Sequence, residues 1–418
     1  MKANYSNQKL DNIFIPLSDF NKLRLAKSAV VYGANASGKT NLIRLMWTLQ
    51  DFILNSIALK AGDKIYERFY DPFLLDTASV NEATEITINF IPKNKKRHKY
   101  IIKYNNDEVL YEYLGIYETN RISKIFERKN ANEFVEFGEA MQNKKEDKRV
   151  VKNNLFLSKF GNIPNNQIRD IYLYFKEIEI WNIPATHHTN GLYHKIQNIF
   201  NNPIKYELSR KISKLINVAD TKIIEVLVSE KPEKDFEYIP EDIRKQIINS
   251  LRFETFGVHN TFDYGNISGI QSLSFDWQES QGTRAIFAIG GLILEAFEKE
   301  YPVLIFLDEF NNSLHPNLAS FLIELFHNPK INKNNSQFIF ATHDTTLLNK
   351  KLFRKDQIWF TSKNKYGSTE LYSADDFKNL KDFDKVNSDI SFDKWYTTGK
   401  FGAIPNIKKF EFIAECCI

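Results

Sequence analysis

The chain has 418 residues, enough for one large α/β domain with insertions or for two domains. Hydrophobic residues at 43% and charged residues at 26% exclude a low-complexity or disordered composition. With 56 basic against 52 acidic side chains the net charge is only +4, which does not mark a nucleic-acid binder but leaves room for a local basic patch.

The two cysteines, Cys416 and Cys417, are adjacent, which excludes a disulfide framework and suits a reducing cytoplasm. No apolar signal-peptide core follows the first residues. The longest apolar stretch, residues 285–297, is interrupted by Glu295 and too short to cross a bilayer. The expectation is a cytoplasmic protein with no membrane partner.

In chain order, residues 28–32 form a β-rich run that leads into a glycine-rich turn. Residues 41–54 then repeat Leu42, Leu45, Met46, Leu49 and Ile53 at helical spacing, giving strand, loop, helix. Between 84 and 137 the pattern becomes alternating and β-branched, with Asn105-Asn106-Asp107 as a hairpin turn, and it predicts an antiparallel meander after the first helix. Residues 93–99, which are basic, and 144–152, of mixed charge, read as solvated loops. Residues 161–250 read as mostly helical, most clearly at 168–180 and 207–216. A buried strand at 301–307, a helix begun by proline at 316–326 and a second buried strand at 337–341 restore α/β alternation. This predicts an α/β P-loop core made of residues 1–83 and 265–418. Two insertions interrupt it, a β-rich one at 84–160 and a mostly helical one at 161–264.

Four segments carry chemistry. Gly33-Ala34-Asn35-Ala36-Ser37-Gly38-Lys39-Thr40 fits the P-loop pattern G-x-x-x-x-G-K-[ST] at every fixed position. Its glycines let the loop curl so that backbone N–H groups face phosphate oxygens, and the following helix adds its positive end. Lys39 is positioned for the β- and γ-phosphates of ATP, and the Thr40 hydroxyl for Mg²⁺. The predicted nucleotide set is Gly33, Asn35, Ala36, Ser37, Gly38, Lys39, Thr40 and Asn41.

The second segment is the apolar run 303–307, which ends in Asp308-Glu309 and exposes both acids at the carboxyl edge of a parallel sheet. There Asp308 holds Mg²⁺ through water, and Glu309 orients and deprotonates the attacking water. Third, His343 stands at the tip of the strand 338–341. Fourth, Ser280 and Gly282 lie at the start of the helix 284–297, where a serine and a glycine make a phosphate-binding cap. Asp375-Asp376 reads as a solvated turn, and His187, His188 and His194 have no cysteine or acid to complete a zinc set.

The order of P-loop, serine-glycine cap, acidic strand and histidine resembles that of ABC ATPases. The resemblance implies that His343 senses the γ-phosphate. It also implies that Ser280 and Gly282 cap nucleotide held by the opposite subunit of a head-to-tail, ATP-dependent dimer or higher oligomer. Ala36, where transporters usually carry glycine, resembles the SMC and RecF branch. The runs "YGANASGKTNL", "ESQGTRAIFAI", "DEFNNSLHP" and "GKFGAIP" look like AAA-type ATPases of the RloA and abortive-infection AbiL kind, related to the ATPase half of overcoming-lysogeny proteins. That likeness implies a part in bacterial phage defence beside a separate effector protein such as a nuclease. A RecF-like DNA-repair ATPase is the alternative, and DNA or RNA is left open as a partner. Gln50 falls on the first helix, not in the later loop where ABC enzymes place a glutamine.

Overall fold

The computed structural model describes residues 1–418 except 17–22, 66–67, 119–120, 164–166, 183–185, 220, 238, 242–251, 378–391 and 406–418, and omits the side chains of 186–190 and 233. Cys416, Cys417 and the side chains of His187 and His188 lie outside the described residues. So does a part, 242–250, of the stretch expected to be helical.

The strands in chain order are β1 (Ile13–Phe14), β2 (Leu25–Ala26), β3 (Ser28–Gly33), β4 (Thr84–Phe90), β5 (His98–Tyr104), β6 (Val109–Tyr117), β7 (Ile122–Lys129) and β8 (Glu136–Phe137). They continue as β9 (Glu179–Asn182), β10 (Glu225–Glu230), β11 (Phe253–Asp263), β12 (Asn266–Ser274), β13 (Leu304–Asp308), β14 (Gln337–Ala341), β15 (Ile358–Lys363) and β16 (Thr369–Ser373). The helices used below are α1 (Lys39–Asn55), α2 (Gln167–Lys176), α3 (Thr186–Phe200), α4 (Tyr206–Val218), α5 (Gln281–Phe297) and α6 (Pro316–His327).

A six-stranded sheet in the order β16-β15-β3-β14-β13-β9 organises the molecule. All its pairings are parallel except β15 with β16. Its central strands are apolar because both faces are covered. Successive side chains point to opposite faces, so each strand supplies two cores. Val30 and Tyr32, Ile305 and Leu307, Phe338 and Phe340 join one cluster with α3, α4, α5 and α6. Ala29 and Val31, Phe306, Ile339 and Ala341 join the other, with α1, α2 and the strands β4–β8. Burying each such Val, Leu, Ile or Phe contributes about 1.5–3 kcal/mol over leaving it exposed.

Strands β4–β8 form a five-stranded antiparallel sheet in sequence order. Its core encloses two fully buried charged side chains. Glu112 accepts hydrogen bonds from Tyr100 Oη (2.8 Å) and from the backbone N–H groups of Phe156 (2.7 Å) and Leu157 (3.0 Å). Arg128 donates to the carbonyls of Asn132, Val151, Lys152 and Asn154. These two residues fasten the 151–157 loop to the sheet.

The stretch 161–264 holds the helices α2, α3 and α4, the last spanning the expected 207–216, but departs from the helical expectation elsewhere. Helix α2 stops at Lys176, and residues 179–182 become β9, an edge strand paired in parallel with Ile305–Asp308. The spacing of Ile168, Ile171, Phe175 and Ile178 keeps helical phase up to that point, but Ile180 and Trp181 are β-branched and aromatic and meet an open sheet edge. Strands β10, β11 and β12 make a separate antiparallel sheet. In β10, Val226 is buried while Leu227 is exposed, the alternation of a half-covered strand.

Residues 93–99 also differ from a free loop: Lys93 bonds Glu177 at 3.0 Å and lies 3.5 Å from the Tyr301 ring centroid, while His98 and Lys99 belong to β5. Asp375 and Asp376 sit in a short 3₁₀ turn in which Asp376 accepts from the Ser373 backbone N–H, and Asp375 accepts from Asn4.

Candidate functional site

The loop 33–38 connects the carboxyl end of β3 to the start of α1. Gly38 precedes the helix at φ 109°, a conformation open to glycine. Ala36, where glycine is usual in related loops, is left-handed at φ 60°, which costs about 1–2 kcal/mol. The Lys39 ammonium turns back across the loop and donates to the carbonyls of Gly33 (2.9 Å) and Ala34 (3.0 Å). An ammonium has three donors, so this bridge leaves one for a ligand. Burial pulls the Lys39 pKa below its ordinary value, while the charges of Asp308 and Glu309 act in the opposite sense.

Two residues without a motif hold this loop from the side. Thr361 on β15 stands opposite Gly33, donates to the Tyr32 carbonyl at 3.3 Å and shares a 2.6 Å hydrogen bond with the Ser37 hydroxyl. Thr369 on β16 donates to the Ser37 carbonyl at 3.0 Å. A Cβ on Gly33 would fall 2.6 Å from the Thr361 carbonyl, and one on Gly38 2.6 Å from Thr369 Cγ2. Both glycines are therefore required by close approach, and Gly38 by its conformation as well. Sequence reasoning missed both threonines, because a single threonine in a strand carries no periodic or motif signal.

Asp308 ends β13 and is buried, and its Oδ1 has no hydrogen-bond partner. Glu309 follows at φ 48°, a left-handed backbone that turns its half-buried side chain away from the strand direction. The next residues are tied to the tip of β14. The Phe310 N–H donates to the Ala341 carbonyl at 3.2 Å, Asn311 bonds both Thr342 and Asp344, and Tyr32 Oη donates to the Asp344 carbonyl at 2.9 Å. His343 extends from this frame. Its pKa is lowered first by partial burial and then by the Lys39 charge, with Glu309 and Asp308 opposing. The imidazole is therefore neutral at pH 7, able to donate from one nitrogen and accept at the other.

Gly33, Asn35, Ala36, Ser37, Gly38, Lys39, Thr40 and Asn41 thus meet Asp308, Glu309 and His343 at one edge of the sheet. Thr40 and Asn41 lie exposed on the first turn of α1. The Thr40 hydroxyl and the unpartnered Asp308 carboxylate oxygen are hard oxygen donors suited to a divalent cation such as Mg²⁺.

Ser280 and Gly282 are placed differently. Ser280 caps α5, its hydroxyl accepting from the Thr283 N–H at 3.1 Å. A Cβ on Gly282 would come 3.0 Å from the Ser313 carbonyl, and Gln281 accepts from the Ser313 hydroxyl at 3.4 Å. These contacts stay with the 311–315 loop and do not reach residues 33–41. Behind the cap, His259 on β11 bonds the Glu279 carboxylate at 2.6 Å. Gln50 is a structural fastener, donating from α1 to the carbonyls of Phe175 (2.7 Å) and Ile178 (2.8 Å). Among the described residues no helix is long and apolar enough to cross a membrane.

The family described as "AAA domain, putative AbiEii toxin, Type IV TA system" matches residues 28–349, more than half of the chain. No curated protein matches it.

Proposed function

The chain belongs to that AAA-domain family of P-loop ATPases, and on this premise we propose that it binds ATP with Mg²⁺ and hydrolyses it, in a site completed by a second copy of the chain. The observation that carries this reading is the grouping of Lys39, Asp308, Glu309 and His343, close enough that their charges act on one another at the edge of one sheet.

The backbone N–H groups of 33–40 and the N-terminal end of α1 hold the phosphates, with Lys39 contributing its free donor to the β- and γ-oxygens. Thr40 and Asp308 are the residues that would hold Mg²⁺, which when bound neutralises charge on the phosphate oxygens. Glu309 accepts the proton of the attacking water, and neutral His343 holds the γ-phosphate by hydrogen bonding. The energy of bringing Asp308 into the core without a partner for Oδ1 supports a role in binding, since an unsatisfied buried acceptor costs about 1–3 kcal/mol.

Ser280 and Gly282 begin a helix whose contacts run to the 311–315 loop and not to the phosphate loop of the same chain, which favours nucleotide shared head to tail between two copies. The family description names a toxin of a toxin–antitoxin system. With the likeness to the RloA and AbiL kind, this favours an ATPase that switches or loads a separate effector in abortive-infection defence.

The test is Glu309→Gln. The amide fills the same space without accepting a proton, so ATP binding by calorimetry is kept while turnover falls about 100-fold or more. Wild-type turnover in this variant would move the base elsewhere, His343 being the first candidate.

A further inference from the structure

The sheet order determines which way a bound nucleotide runs. From the phosphate loop on β3, the strands β14 and β13 lie to one side with His343, Asp308 and Glu309, and β15 and β16 lie to the other. The γ-phosphate must face the acids, so the nucleoside leaves toward β15 and β16.

What stands there is a hairpin. Strand β15 runs parallel to β3 with Thr361 opposite Gly33, and continues two residues further, to Lys363. At about 3.3 Å per residue its turn rises roughly 7–10 Å above the level of Gly33, on the ligand side of the sheet. The turn is closed by Asn364, whose N–H donates to the Ser368 carbonyl (3.0 Å) and whose carbonyl accepts from Gly367 (3.0 Å). The returning strand is bonded to the loop through Thr369 and Ser37 at 3.0 Å.

Two large apolar side chains are exposed at this turn: Tyr366 at 67% and Leu75 at 69%. Leu75 reaches the hairpin itself, its Cδ1 lying 2.8 Å from the place a Cβ on Gly367 would take. Single exposed apolar residues are ordinary, but their convergence beside a polar phosphate loop is not.

We infer that Tyr366 and Leu75 form the wall that receives the base of the nucleotide whose phosphates occupy residues 33–40. The inference rests on the phosphate-binding reading and adds the base-side contact to it. An aromatic face and an aliphatic side chain suit a flat heterocycle, and stacking of this kind accepts any base, so the wall contributes affinity more than selectivity among bases. The family match ends at residue 349, so Leu75 lies within the matched segment while the hairpin that carries Tyr366 lies beyond it. The Lys365 ammonium lies over the Tyr366 ring, its Nζ 4.8 Å from the ring centroid.

Calorimetry with Mg–ATP and with Mg–tripolyphosphate, which has no nucleoside, separates base from phosphate contacts. Wild-type protein is expected to bind ATP more tightly than tripolyphosphate. Tyr366→Ala is expected to weaken ATP about tenfold, within the range that base–aromatic stacking carries, and to leave tripolyphosphate unchanged. Tyr366→Phe keeps wild-type affinity for both. Because Tyr366 is exposed, the variants fold, and matching melting temperatures verify it. ATP affinity unchanged in Tyr366→Ala, or lowered equally for both ligands, overturns the inference, as does equal affinity of wild type for the two. Binding of neither ligand by wild type overturns the phosphate-loop reading itself, and the base wall with it.

Discussion

Replacing Gly38 by alanine sets two separable costs against each other. The first is conformational: a non-glycine residue held at φ 109° costs about 1–3 kcal/mol. The second is steric, because the new Cβ would sit 2.6 Å from Thr369 Cγ2 and closer still to Thr369 Oγ1, an overpacking cost of about 1–3 kcal/mol. Together they predict about 2–6 kcal/mol lost from the stability of Gly38→Ala.

Thr369→Ala alone should cost about 1 kcal/mol, the value of its hydrogen bond to the Ser37 carbonyl. In the double variant the two nearest atoms are gone, and only the Thr369 Cβ at 3.0 Å remains close. The second substitution should therefore recover about 1–2 kcal/mol of the steric cost, a coupling of opposite sign to the single effect of Thr369→Ala. Urea unfolding of the four proteins measures this through midpoint shifts at constant slope. If the two costs add to within about 0.5 kcal/mol, the hairpin does not press on the phosphate loop as described.

Other tests reach different parts of the molecule. A Lys39→Ala chain and a Ser280→Arg chain should each be inactive, yet their mixture should regain up to half the activity per heterodimer if the shared sites fire independently; normal hydrolysis by Ser280→Arg alone would leave Ser280 as a plain helix cap. Burial lowers the His98 pKa to about 4, so between about pH 6.5 and pH 4 the unfolded chain takes up a proton that the folded chain refuses. Stability should be full above that window and fall by about 1.4 kcal/mol per pH unit inside it, and His98→Phe, stacked on Phe90 as His98 is, should lose that share of the slope in urea unfolding at pH 5 and 7. An unchanged slope would refute it.

The central strands and the phosphate loop were legible because their constraints are local. Ser28–Gly33 is an apolar strand buried along its whole length, and the loop after it needs glycine at fixed places, so the pattern survives without tertiary knowledge. Likewise, an apolar run ending in Asp308-Glu309 marks the edge of a parallel sheet. Strand β9 was hidden because Ile168, Ile171, Phe175 and Ile178 hold helical phase and nothing breaks it before Glu179; only the open edge of β13 makes 179–182 extended. Thr361 and Thr369 were hidden for a different reason. Their partner, Ser37, is hundreds of positions away, and a hydrogen bond between distant threonine and serine residues leaves no periodicity to read.

The position of β3 in its sheet has a consequence for how the protein comes into being. Ser28 pairs with Phe338 and Val30 with Ile358, so neither neighbour of the phosphate-loop strand exists when that strand leaves the ribosome. At roughly 5–20 residues per second, β3 waits about 15–60 s for them. During that interval a strand of six residues, all buried in the finished protein, has its apolar side chains and backbone groups uncovered, and long-range pairing of this kind forms slowly once begun. The segment thus stays uncovered until residues 337–361 have been made. A chain released before β15 has neither Thr361 nor Thr369 to brace the loop, so the braced loop exists only once β15 and β16 have been made.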